Sequence, residues 1–245
     1  MGLKLLCVVA HPDDECFAFG GALALAHEQG VETHVICLTD GQAATYRGES
    51  ANGEDLGRMR REEFAHSCKV LGVSHHELLD YQDAQLEFTS FSQAACRLVA
   101  KIRAFRPHVV LTFGLDGALN THPDHTMVAA LTSAAFHWAA LQKRFPEAGP
   151  THAADRLYTL STSFFMPDRP APAPSPWTVV LDVGSVLARK QEAFRQHTSQ
   201  APLMERTRGM FEEHGQAEHY TLAAARTPQP ATQTTSLFAG LEPSL

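Results

Sequence analysis

Two His-Pro-Asp motifs, His11-Pro12-Asp13 and His122-Pro123-Asp124, each stand beyond a short apolar run, and that pairing limits the folds open to the chain. The first run, Leu3 to Val9, is rich in Val and Leu and too short for a buried helix, so it reads as a strand of a parallel sheet. The second, Pro107 to Phe113, repeats the pattern and ends in the polar loop Gly114 to Asn120. Loops beyond the carboxyl ends of parallel strands face a crevice, the expected place for a site in an open α/β sheet. Pro12 fixes its own φ and biases His11 towards extended backbone, which holds the imidazole out of a stiff loop. One such motif alone is a common turn or helix cap; two, each after a strand pattern, point to a shared site.

The rest of the chain alternates strand and helix patterns. Phe17 to Gln29 carries apolar residues at helical spacing and stops at Gly30, suited to a left-handed C-cap. Gly20-Gly21 suits either close approach of a bound group or tight packing, and no G-x-G-x-x-G is present to support a dinucleotide site. Val31 to Leu38 reads as a second strand with Thr39-Asp40-Gly41 as its exit turn, and Gln42 to Asp55 as a mobile surface loop near the site. Leu56 to Leu71 is a helix closed by Gly72, Glu77 to Leu79 a short strand, and Ser92 to Phe105 a helix with Ser92 as N-cap. A helix over Thr126 to Leu141 would start with its amides beside His122 and Asp124.

Arg156 to Phe164 and Thr178 to Asp182 read as later strands, and the proline-dense stretch Met166 to Trp177 between them as a rim or a connector. Ser185 caps a helix from Val186 to His197, and another follows over Leu203 to His214. The expected architecture is a single Rossmann-like α/β domain, a mostly parallel sheet flanked by helices with the site at the C-terminal ends of the strands. It spans residues 1–226, and residues 227–245, poor in charge and core formers, are expected to fray.

A chain of 245 residues with 44% hydrophobic content suffices for one substantial core. Its formal charge of −7 argues against nucleic acid, which needs clustered Lys and Arg to neutralise phosphate. No apolar run approaches the ~20 residues of a membrane span, and the N-terminus lacks a signal-peptide layout, so a cytoplasmic protein without a membrane partner is expected. Five cysteines without a C-x-x-C spacing read as buried free thiols.

Of fourteen histidines, few have neighbours that suggest chemistry. His11 and Asp14 lie three apart across the proline turn and His125 follows the other strand, a two-imidazole, one-carboxylate set matching a hydrolytic zinc with an open position. Such ligands favour zinc or ferrous iron over magnesium. The run Asp13-Asp14-Glu15 itself asks for a cation, since adjacent carboxylates resist ionising together. Asp13 can then take a proton from the attacking water, while a protonated His122, held by Asp124, stabilises the oxyanion and protonates the departing amine. Glu15 either supports the metal from behind or starts a helix with favourable dipole sign. Arg58, Arg60 and Arg61 oppose their helix dipole, so they either meet an anion or pair on a solvated face with Glu62 and Glu63.

Ala10-His11-Pro12-Asp13-Asp14-Glu15 together with His122-Pro123-Asp124-His125 resembles the PIG-L or LmbE-like family of metal-dependent de-N-acetylases acting on N-acetylglucosaminyl conjugates. The resemblance runs to about Gln200 and implies zinc on His11, Asp14 and His125, with Asp13 as general base. It further implies His122 at the oxyanion with Asp124 orienting it, and Arg60, from the Arg60-to-Glu63 R-x-x-E pattern, at the substrate together with Asp83. The run from Lys190 to Gln200, with His197, resembles a late family element to which no role is assigned. Where some members carry a Tyr before the second motif, this chain reads Ala118-Leu119-Asn120-Thr121. The expected activity is removal of acetyl from an N-acetylglucosamine-type conjugate. The alternatives are an amidase on another amide, such as a sugar-thiol S-conjugate or antibiotic precursor, and a non-catalytic metal-binding module. Whether the chain forms a homo-oligomer stays open.

Overall fold

The computed structural model describes residues 2–164, 173–228 and 232–241. Its sheet has seven strands: β1 Lys4–Val9, β2 Glu32–Thr39, β3 His75–Tyr81, β4 Val109–Thr112, β5 Arg156–Ser161, β6 Val179–Asp182 and β7 Ala217–Ala225. They lie in the order β3-β2-β1-β4-β5-β7-β6. The first five are parallel, and β7 runs antiparallel between β5 and β6. The expected α/β architecture is the one observed. β1, the central strand of the parallel part, is apolar on both faces because helices cover both, and Leu5 to Val9 are fully buried.

The chain leaves β1 towards β2 on one side and reaches β4 on the other, so the order reverses between β1 and β4. Loops diverge at such a switch point and open a crevice. Leu5 pairs with Val109 and Cys7 with Leu111, which brings the ends of both strands to one level. Thr112 Oγ1 donates to Val8 O over 3.0 Å and Thr39 Oγ1 to Ala10 O over 3.0 Å, locking three strand ends together.

Among the described residues the α-helices are α1 Asp14–Phe17, α2 Gly20–Glu28, α3 Gly53–Leu71, α4 Phe91–Phe105, α5 Pro123–Ala139, α6 Leu187–Arg195 and α7 Ala201–His214. The single helix expected over 17–29 is broken at Ala18-Phe19. The amides of Gly21 and Ala22 donate to the Glu218 carboxylate at 2.7 and 2.9 Å, so α2 restarts on a side chain from β7. A Cβ on Gly21 would sit 2.4 Å from Val183 Cγ1 and 2.7 Å from Glu218 Oε1, so the glycine pair serves packing against this carboxylate.

Several helix starts differ from expectation. α3 begins at Gly53, inside the segment read as loop, because Asn52 caps it by accepting from Asp55 N at 2.9 Å. α4 takes Ser90, not Ser92, as its N-cap residue. α5 begins at Pro123, whose fixed φ and missing N–H suit a first helical position. Ser185 lies in a 3-10 turn ahead of α6 and does not cap it.

β7 was not expected, since Ala217–Ala225 holds few β-branched residues. Its alternating Glu218 and Tyr220 are buried, with Lys190 Nζ 2.6 Å from Glu218 Oε1 and Tyr220 Oη donating to Glu218 Oε2 at 2.7 Å. Residues 232–241, expected to fray, lie against the sheet. Thr234 bridges Val179, Leu237 is buried, and the Arg156 guanidinium donates to the carbonyls of Leu237 and Ala239. Most of the proline-dense stretch falls outside the described residues. All five cysteines are free, four of them buried. Among the described residues no helix is long and apolar enough to cross a membrane.

Candidate active site

The end of β1 and the start of α5 meet as the two motifs predict. His11 and His125 ring centroids lie 5.4 Å apart, and the ligating atoms of His11, Asp14 and His125 fall within 4.8 Å of one another. They line a cleft of about 320 Å³ together with Asp13, His122 and Asn120.

Hydrogen bonds to the far ring nitrogens set which nitrogens face this cluster. His11 Nε2 lies 2.9 Å from Asp83 Oδ1 and 3.2 Å from Asp124 Oδ2, so its N–H is committed there and Nδ1 turns its lone pair to Asp14, 3.6 Å away. His125 Nδ1 donates to Gly117 O at 3.2 Å, and its ring stacks on Phe113 with centroids 3.9 Å apart. That leaves His125 Nε2 buried without a hydrogen bond among the described residues, 3.2 Å from Asp14 Oδ1. A lone pair held against a carboxylate oxygen is unfavourable unless a cation or proton lies between them. Asp14 Oδ2 also accepts from the amides of Ala10 and His11, which fixes the carboxylate.

Burial raises the Asp14 pKa, but His125 and His11 outweigh it and hold the group well below the usual range. Burial opposes the His11 imidazolium, yet Asp124, Asp14 and Asp83 together raise its pKa well above normal. Four carboxylates (Asp13, Asp14, Asp83, Asp124) thus converge with one guanidinium, Arg60. The donor set and this surplus of negative charge fit a divalent ion at His11, Asp14 and His125. Two other groups of ligating residues are less suited. In His11, His122 and Asp124 one nitrogen of each ring, His11 Nε2 and His122 Nδ1, is already bonded to Asp124, and in Glu15, Cys16 and His197 every side chain is fully buried.

Asp13 stands on the N-cap of α1 with φ 108°, a left-handed conformation costly for a side chain of this type and frequent at functional sites. Burial lifts its pKa to about 6, with the Asp14 charge adding and Arg60 opposing. Arg60, expected at the substrate, lines the cleft with a largely buried guanidinium that donates to Pro12 O, to Gly41 O at 3.0 Å and to Asp13 Oδ2 at 3.1 Å. Gly41 has φ +66°, and a Cβ there would fall 2.1 Å from Arg60 Nη1, so a side chain at this position would strain the backbone and displace the guanidinium. Arg58 and Arg61 lie on the outer face of α3, paired with Asp55 and Asp40.

Asp83 lines the cleft, and its carboxylate is bonded to His11 and to Ala43 N at 3.0 Å. Asp124 does not grip His122 with its carboxylate, which accepts from His11 and from the amides of Ala84 and Leu86 at 2.8 and 3.2 Å. Only the Asp124 backbone N–H reaches His122, donating to Nδ1 at 3.1 Å. At the first turn of α5 the side chains at i and i+2 diverge, which defeats an inference from spacing alone. Since Nδ1 accepts, neutral His122 carries its proton on Nε2. Burial and the neighbouring His11 and His125 hold its pKa below normal, which favours the neutral ring over the protonated one expected.

Glu15, left between two readings, does neither simply. It is fully buried and accepts from Asp13 N at 2.9 Å, Ser67 Oγ at 2.5 Å and His197 Nε2 at 2.7 Å. Glu63 accepts from Thr198 Oγ1, Ser199 N and Ser199 Oγ, each at 2.7 Å, and Gln200 Nε2 donates to Tyr46 O at 3.1 Å. The 42–52 segment is therefore tied to the site at Asp83 and Gln200. The links from Glu15 to His197, from Glu63 to Thr198 and Ser199, and from Tyr46 to Gln200 are missed by sequence reasoning because they join residues more than a hundred positions apart, though the H-x-S-Q run marked one end.

Fold and site define an α/β protein with a cluster of metal-ligating side chain types at the switch point of its sheet. The chain belongs to the GlcNAc-PI de-N-acetylase (PIG-L) family, whose model matches residues 6–136. It is 30% identical over 199 residues to diacetylchitobiose deacetylase of Thermococcus kodakarensis, covering 81% of this chain and 70% of that protein. It is also 30% identical over 239 residues to 1D-myo-inositol 2-acetamido-2-deoxy-alpha-D-glucopyranoside deacetylase of Rhodococcus jostii, covering 80% and 81%. Among solved structures, N,N'-diacetylchitobiose deacetylase from Pyrococcus horikoshii, complexed with an inhibitor, superposes with TM-score 0.73 at 25% identity, covering 98% of this chain and 86% of that one.

Proposed function

We propose that this chain is a cytoplasmic metal-dependent de-N-acetylase that removes acetyl from a small N-acetylglucosamine-type conjugate. The observation carrying the reading is the orphaned His125 Nε2 beside Asp14, facing the available nitrogen of His11 at the mouth of a cleft. A divalent ion held by His11, Asp14 and His125, zinc or ferrous iron, would supply Lewis acidity towards the amide carbonyl and the attacking water. Relatives named as deacetylases of acetylated amino sugars support this substrate class.

The remaining steps belong to the protein's own groups. Asp13 takes the proton of the attacking water as the C–O bond forms. Its elevated pKa suits a base that must later give the proton back. His122 Nε2–H donates to the developing oxyanion. A neutral imidazole is a weak acid, so the proton that the departing amine receives when the C–N bond breaks comes from Asp13. Acetate and the free amino sugar are the products. Arg60 holds Asp13 in place, while Asp83 and Asp124 orient His11.

Amine release from a panel of N-acetylglucosamine disaccharides, N-acetylglucosaminides and acylated sugar-thiol conjugates tests this reading. The expected result is acetate and primary amine in equal amounts from at least one N-acetylglucosamine conjugate. Amine from the thiol conjugates alone would move the substrate class. No amine from any compound by metal-loaded protein would contradict the hydrolase reading.

A further inference from the structure

His197 is not among the residues lining the cleft, although Gln200 of the turn that follows it is, and its imidazole is one hydrogen bond away from the group that holds Asp13. Asp13 keeps its left-handed φ of 108° with no side-chain cap on α1. Its carbonyl accepts from Cys16 N, Cys16 Sγ and Phe17 N at 3.2, 3.1 and 2.8 Å, and two further contacts restrain it: the Arg60 guanidinium on its carboxylate, and Glu15 Oε2 accepting its backbone N–H at 2.9 Å. The second depends on where Glu15 points. Its other oxygen is fixed by His197 Nε2 at 2.7 Å and Ser67 Oγ at 2.5 Å, in a pocket where neither Glu15 nor His197 is exposed at all.

His197 in turn is set by the 198–200 turn. Thr198 and Ser199 hang on Glu63, one helical turn beyond Arg60 on the same helix. Two residues of α3 therefore reach Asp13 by separate routes, Arg60 directly and Glu63 through the His197 turn. His197 Nδ1 has no hydrogen bond among the described residues, and the nearest carboxylate oxygen to it, Glu63 Oε2, is 4.0 Å away. The ring thus spends its only bonded nitrogen on Glu15.

We propose that His197 is a positioning residue: acting through Glu15, it holds the Asp13 backbone in the left-handed conformation that presents the carboxylate to the cleft. This rests on the general-base reading of Asp13. A hydrophobic replacement leaves Ser67 Oγ as the one remaining donor to Glu15 Oε1, the Glu15 carboxylate shifts towards it, and Asp13 relaxes from its strained φ. Displacement of a reacting group by a fraction of an ångström to one ångström lowers turnover by up to about a hundredfold. KM and metal content, set by other residues, stay near the wild-type values.

The test measures kcat, KM and metal content for His197→Leu, His197→Gln and Glu15→Gln, each also in an Asp13→Asn background. His197→Leu is expected to lower kcat about 10- to 100-fold, with KM and metal content within about twofold. His197→Gln, whose side-chain N–H can still reach Glu15, is expected to lie within about threefold of wild type. Where His197→Leu does not fold, Glu15→Gln gives the same readout, because its amide cannot both receive from Ser67 and His197 and hold Asp13. In the Asp13→Asn background the leucine variant is expected to add no further loss. Wild-type kcat for folded His197→Leu beside an inactive Asp13→Asn would overturn the positioning role alone. Equal loss for Gln and Leu would overturn it too, since the hydrogen bond would then be irrelevant. Full activity of Asp13→Asn would bring down the general-base reading and the positioning role together.

Discussion

Asp13→Ala is expected to bind metal at the wild-type stoichiometry and to lose most of its turnover. General-base groups contribute about 10²- to 10⁴-fold, and no neighbour is placed to take over. Asp14 is turned to the imidazoles, Glu15 is saturated by three donors, and Asp83 and Asp124 are spent on His11. The loss should fall on kcat rather than KM, because Asp13 is not among the groups that hold the ion. Steady-state rates with the substrate that the amine-release panel identifies check this. Turnover of Asp13→Ala within a few-fold of wild type would refute the base assignment.

Glu218→Ala is expected to be the most destabilising single change away from the cleft. Glu218 is buried and accepts from Lys190, Tyr220 and the first amides of α2. Its removal leaves a buried ammonium and several donors without acceptors at once. Breaking a buried ion pair from one side costs about 3–5 kcal/mol, or roughly 6–20 °C in Tm for a domain of this size. Lys190→Met should cost less, because the carboxylate keeps its other donors. Thermal unfolding of the two variants separates them; a shift below about 2 °C for Glu218→Ala would show that the network does not hold α2 and β7 together.

How much of this was legible in the sequence depends on the range of the interaction. The apolar runs before His11 and before the Gly114–Asn120 loop carry strand period and length, so the parallel core and the meeting of His11, Asp14 and His125 follow from local pattern. Element starts were misplaced where a cap outside the apolar pattern sets them, as with Asn52 and Pro123. β7 was missed because its inward positions are Glu218 and Tyr220, polar groups that bury only through partners on α2 and α6. Asp83 and Asp124 were placed near the chemistry without their contact to His11. Both serve His11, which lies 72 and 113 positions away, and no short motif encodes such a pairing. Arg60 likewise stands out as a cation near a helix start, yet its partners are carbonyls of two other loops.

The two His-Pro-Asp loops are built, on this account, around one ion, and the metal content of the purified protein tests that most directly. Elemental analysis of wild type, His11→Ala and His125→Ala, each dialysed against zinc or ferrous iron and then against metal-free buffer, should give one equivalent per chain for wild type and near none for either variant. Wild-type protein that retains no ion, or variants that retain as much as wild type, would contradict it.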